Sequence, residues 1–181
     1  GGRIRAGTVP IQGGFQAAHG GNTYDAWIAV FDATLAALSY STYAGGSHNE
    51  AEFGSEPLGL AVDAQNRVAI ASATTSNNFP VSVGAWQTVY AGLRDGFVTM
   101  VDPAQVGAAS LVFSTYLGGS GNDGLADLAF DDLGNLHVGG SSRSTVLPFV
   151  HQLRAPSGDP TFDDALVAVL DPTGSTLRFA S

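Results

Sequence analysis

Two stretches of the chain carry side chains that serve as nucleophiles in many enzymes: Ser41, Thr42 and Tyr43 within STYAGGS, and Ser114, Thr115 and Tyr116 within STYLGGS. A nucleophilic serine needs a base within hydrogen-bond reach and a third group to orient that base. In both copies Ser, Thr and Tyr alternate along an extended run, as residues do on the two faces of a pleated strand. A near-identical duplication is also how structural units are written. The expectation is therefore structural: Tyr43 and Tyr116 pack between repeated units, and the following glycine pair lets the chain leave the strand.

The other chemical patterns dissolve in the same way. GGSGNDG at Gly118 to Gly124 contains a formal G-x-G-x-x-G, but LADLAFDD follows it, a strand and a turn where a dinucleotide site needs a helix. Two loops are rich in oxygen ligands: Asn122, Asp123 and Asp127 with Asp131 and Asp132 in the next turn, and Asn49, Glu50 and Glu52 in the sister loop. Calcium takes six to eight oxygens, and neither loop has the D-x-D-x-D-G spacing, so these side chains are expected to cap turns. His19, His48, His137 and His151 show no paired spacing that would place zinc ligands together. Arg67, Arg94 and Arg143 do not occupy equivalent positions, which argues against an active site gathered from repeated units.

Trp27 corresponds to Phe97 and Leu166 in the sister units, so that position reads as core. Trp86 corresponds to Phe15 in GAWQ and GGFQ, a loop aromatic filling space between units, and with Tyr90 it is the candidate platform for a sugar ring. No catalytic, cofactor-binding or metal-binding residue is expected, and any ligand-binding residue is left unassigned.

Bulk composition narrows the classes further. The net charge is −9, and all seven basic residues are arginine. Phosphate neutralisation needs a basic stripe, so nucleic acid is not expected as a partner, nor is anionic lipid. With 24 glycines, no cysteine and 13% charged residues, the chain has the make-up of a turn-rich β protein without disulfides. No apolar run approaches the ~20 residues of a membrane helix, and GGRIRAGTVP lacks the apolar core of a signal peptide, so an exported protein would appear here in processed form or as an internal piece.

The elements that must position these residues recur with one period. DAWIAVFD from Asp25 returns as DGFVTMVD from Asp95 and DALVAVLD from Asp164, and LAVDAQNRVAIAS from Leu60 returns as LAFDDLGNLHVGG from Leu128. Separations run from 66 residues (Leu111 to Leu177) to 73 (Ser41 to Ser114). Each unit holds four short apolar or alternating runs parted by turns such as DDLGN and DPTGS; in the sister turn DAQN, an asparagine takes the place of the glycine. Runs such as Trp27 to Phe31 are apolar on both sides, as in strands covered on both faces. Four antiparallel strands per unit in tandem predict all-β propeller blades stacked around an axis, ahead of a two-sheet sandwich or a β-solenoid.

The combined pattern, from STYLGGSGND through LAFDDLGNLHVGG and the S-S-x-x-x-x-x-P stretch to DDALVAVLDPTGSTL, resembles the bacterial SBBP β-propeller repeat over nearly the whole chain, in roughly two and a half copies. The chain departs from that pattern in a long insert between Pro148 and Asp164 and in SHNEAEFGSEP. The resemblance implies a scaffold, places it in exported or cell-surface bacterial proteins and carries over no catalytic residues. Its phasing divides one propeller domain into the second half of a blade (1–46), a complete blade (47–118) and a blade truncated near its last strand (119–181). Such a set cannot close a ring, which takes at least about four blades. The completing partner would be the rest of a longer chain, further copies in a homo-oligomer, or another protein. The expected function is a non-catalytic extracellular scaffold or interaction module; the alternatives are a glycan-binding propeller and, behind it, an enzyme with an axial site.

Overall fold

The computed structural model describes residues 1–5, 7–21, 23–50, 58–147, 150–151 and 161–181. They form three antiparallel sheets with a single 3-10 turn at Gly107–Ser110. The first sheet pairs β1 (Gly2–Arg5), β2 (Tyr24–Phe31) and β3 (Leu38–Ala44) in chain order. The second pairs β4 (Gly59–Val62), β5 (Val68–Thr74), β6 (Asp95–Val101) and β7 (Leu111–Leu117). The third pairs β8 (Asp123–Phe130), β9 (Leu136–Ser142), β10 (Asp164–Leu170) and β11 (Leu177–Ala180), again in chain order. These are two meandering four-stranded blades and a three-stranded part of a third, and the all-β propeller-blade architecture expected from the period is what the chain adopts.

The repetition extends to backbone detail. The pairing with the last strand slips once in each sheet, between Val30 and Phe31, Met100 and Val101, and Val169 and Leu170. Beyond each slip an aspartate organises the turn; Asp32 Oδ1 accepts the Ala36 amide at 2.9 Å, and Asp171 Oδ1 accepts that of Ser175 at 2.9 Å. The turn between the first two strands of a blade needs a left-handed residue. Gly134 supplies it at φ 79°, and Asn66, in the matching place, adopts φ 62°.

Burial follows from stacking sheet on sheet. Strands β5 and β6 are buried at every residue. Ala26, Ile28, Tyr40 and Ala44 of the first sheet pack with Val68, Ile70, Phe97 and Val101 of the second in one apolar cluster. Val98, Met100 and Phe113 then pack with Leu125, Leu136, Leu166, Ala168 and Leu170 of the third sheet in another. Because side chains alternate along a strand, β6 sends Phe97 and Val101 to one seam and Val98 and Met100 to the other. The outer blades have only one seam each. Trp27 and Phe31 lie opposite Ala26 and Ile28, and Val167 lies opposite Leu166 and Ala168, with Phe31 48% and Val167 47% exposed.

Candidate functional site

Ser41, Thr42 and Tyr43 lie on β3, and Ser114, Thr115 and Tyr116 on β7, each the last strand of its sheet. A last strand has an unpaired edge, a liability that must be covered. The long connection leading into the third strand of the blade covers it: the Ser41 and Tyr43 amides donate to the carbonyls of Gln12 and Gln16, and the Tyr116 amide to that of Gln87. The motif's hydroxyls tie the same connection down. Thr42 Oγ1 accepts the Gln16 amide at 3.0 Å and Thr115 Oγ1 that of Gln87 at 2.9 Å. Tyr116 donates to the Ser76 carbonyl at 2.8 Å and accepts the Phe79 amide at 3.0 Å; Tyr43 does the same with Gly7 at 3.0 Å and Val9 at 3.2 Å. Among the described residues no base addresses either serine: Ser41 Oγ donates to the Pro10 carbonyl at 2.8 Å, and Ser114 Oγ sits 2.9 Å from Thr99 Oγ1. The recurring hydroxyls are fasteners.

The Gly119–Gly124 stretch runs straight into β8, and the Gly119 amide donates to Asp123 Oδ2 at 2.7 Å, leaving it committed within the chain.

The oxygen-rich loops divide into two kinds. Asp131 caps its turn, accepting the Leu133 and Asn135 amides at 2.9 and 2.8 Å, which holds its carboxyl down at about 2; the Asn135 amide side chain contributes most. Asp127 is exposed and accepts the neighbouring Leu128 amide, while Asn49 Oδ1 accepts the Thr23 and Tyr24 amides, both at 3.1 Å. Glu52 lies outside the described residues. Glu50 and Asp123 differ: both are 0% exposed and sit between sheets rather than on turns.

Glu50 Oε1 accepts the hydroxyls of Thr74 at 2.8 Å and Ser76 at 2.5 Å. Asp123 accepts the hydroxyls of Ser142 and of Ser144, the latter at 2.7 Å. Each faces a second buried carboxyl from the preceding blade, Asp25 for Glu50 and Asp95 for Asp123. Asp25 and Asp95 head their third strands, both 0% exposed. Burial is the main force raising the Glu50 carboxyl to about 8 and that of Asp95 to about 6, with the facing carboxylate adding to both. Sequence reasoning quoted Asp25 and Asp95 only as parts of a repeat. The available signal was an aspartate heading an otherwise apolar strand in every unit, where desolvation disfavours a charge unless it is paired.

The histidines are dispersed. His19 lies 3.5 Å from Asp25 and edge-on to Tyr43, His137 is 3.2 Å from Asp131, and His48 contacts Ser47 at 3.1 Å. His151 is exposed, with φ 55°. Among the described residues no three His, Cys, Asp or Glu side chains are placed to hold a metal ion. Arg67 pairs with Asp63 at 2.6 Å and Arg143 with Asp163 at 2.7 Å, in separate loops.

Phe97 and Leu166 are core at 0% and 2% exposure, while Trp27, in the first blade, is half-buried on its open face. Trp86 and Tyr90 do come together. With Val89, Val146 and Leu147 they line a largely apolar groove of about 520 Å³ between the second and third blades. The Trp86 amide donates to the Gly174 carbonyl at 2.9 Å, anchoring this connection to the next blade's last turn.

Three meandering antiparallel sheets stacked face to face through shared apolar seams define a segment of a β-propeller. A family model described as SBBP, β-propeller repeat, matches residues 112–148, the stretch from β7 through β9. The match is narrower than the resemblance read from the sequence, which spans nearly the whole chain. The other units express the pattern in structure, through the shared slips, turns and hydroxyl ties. The matched stretch also crosses a seam, so one repeat contains both the strand that closes one blade and the carboxylate that opens the next. No curated protein matches the chain.

Proposed function

We propose that this chain is a segment of a non-catalytic β-propeller scaffold in an exported or surface-attached bacterial assembly, and that its working surfaces are the two open end faces. The supporting observation is that β6 is buried on both sides, whereas β2 and β10, in the same place in the outer blades, expose Phe31 and Val167. Each open face carries the pattern that elsewhere in the molecule meets another blade, so its natural occupant is another blade, from the rest of a longer chain or from a further copy. Exposed apolar patches of this kind mark association surfaces. Sedimentation of the chain over a range of concentrations tests this reading. Association that weakens in both Phe31→Asp and Val167→Asp supports it; a chain that stays monomeric at high concentration, with no response to either change, counts against it.

The groove beside Trp86 and Tyr90 favours a second reading, the binding of a glycan between blades. A glycan array bound by the wild type and lost in Tyr90→Ala would support it, and an array without binding would remove it. Both aromatics also pack against a core cluster, so an unchanged melting temperature of Tyr90→Ala is the control for folding.

A further inference from the structure

Among the described residues, the buried polar atoms without a hydrogen-bond partner include Asp25 Oδ1, Glu50 Oε2, Asp95 Oδ1 and the imidazole His19 Nε2. Three of them meet at the first seam. Asp25 Oδ2 is held by the Gly20 amide at 2.7 Å and Glu50 Oε1 by two hydroxyls, which leaves one oxygen of each carboxyl for the other. The Asp25 and Glu50 side chains are within hydrogen-bonding reach of each other, and two buried acceptors so placed form an arrangement that a single hydrogen resolves.

We propose that Glu50 is a protonated acid at neutral pH and donates its hydrogen to the Asp25 carboxylate, latching the first blade to the second through an acid–carboxylate hydrogen bond that is released in alkaline solution. His19 fixes which partner is the anion. Its Nδ1 accepts the Gly21 amide at 3.2 Å, so its hydrogen is on Nε2, 3.5 Å from Asp25 Oδ1. Among the described residues, Tyr116 of β7 also faces the pair, and its phenol is neutral because burial pushes it up to about 12. A cation fits less well. Calcium needs six to eight oxygens, and among the described residues the pair offers two open ones, with Gly45 so close against Asp25 that a Cβ there would lie 2.3 Å from its Cγ.

The second seam holds a related pair with a different division of partners. Asp123 accepts Ser142 on Oδ1 and both Ser144 and the Gly119 amide on Oδ2, so both its oxygens are engaged, while Asp95 keeps an open Oδ1. A Cβ on Gly118 would lie 2.8 Å from Asp95 Oδ1 and 3.0 Å from Asp123 Oδ2. With Asp95 near 6 and Glu50 near 8, the second seam releases its proton first as pH rises.

Infrared titration of the 181-residue chain tests the latch without relying on stability. The expected result is a protonated-carboxyl band that persists at pH 7, disappears around pH 8 and is missing at pH 7 in Glu50→Gln. In denaturant, the wild-type unfolding constant should rise about tenfold between pH 7 and 9, while that of Glu50→Gln stays level. If Glu50→Gln does not fold, the wild-type band decides alone. No protonated carboxyl at pH 7 would overturn the proposal. So would a melting temperature at pH 7 that calcium or zinc raises and EDTA restores, because a cation would then occupy the pair where the proton is expected.

Discussion

Tyr116→Phe isolates the fastening role of the repeated STY motif. The substitution keeps the ring, which is 1% exposed and edge-on to Tyr90, and removes only the hydroxyl. That hydroxyl serves two backbone groups in the loop after β5, the carbonyl of Ser76 and the amide of Phe79, residues that are 0% and 3% exposed. Each would be left buried without a partner at a cost of about 1–3 kcal/mol, so the variant should lose roughly 3 kcal/mol in all. Tyr43→Phe is the internal control. Its partners, Gly7 and Val9, are exposed and half-buried, so water can replace the hydroxyl and the loss should be only about 1 kcal/mol. Urea unfolding at constant pH measures both. A Tyr116→Phe loss under about 0.5 kcal/mol, or one no larger than that of Tyr43→Phe, would refute the idea that these hydroxyls clamp the covering connection.

Phe113→Ala removes a fully buried ring that packs against Gly174 of the next blade, and should destabilise the chain by about 3–5 kcal/mol in the same assay. Asn66→Ala, at φ 62°, should lower the thermal midpoint, whereas Asn66→Gly should leave it unchanged or raise it. The two ends of the pH profile should differ in origin. Asp131, held near 2 against an ordinary 3.8, contributes stability that is full above 3.8 and fades as pH falls toward 2, so Asp131→Asn should flatten the acid limb of a melting-temperature titration. Glu50 and Asp95 act in the opposite sense: their raised values make stability fall as pH climbs through about 6 and then about 8.

Local rules make the strands and turns legible in the sequence. The alternation in the LAFDD and LAVDA runs predicted β8 and β4, and the asparagine of DAQN was expected to stand in for glycine, as Asn66 does. Trp27, Phe97 and Leu166 read as one position because a strand facing a neighbouring sheet accepts any large apolar side chain. The carboxyl pairs were not legible, because Asp25 and Glu50 are 25 residues apart and meet only when one blade docks on the next. A loop rich in acids normally stays in water, and that expectation suits Asp131 but not Glu50 or Asp123. What the STY hydroxyls hold was hidden for a related reason: the connections they bind have no periodicity to reveal their path along a strand edge.

The most direct test is an experimental structure of this segment within its native assembly. A further four-stranded sheet should cover Trp27 and Phe31, and another should cover Val167. End faces left bare in the intact assembly, or covered by helices, would contradict the account.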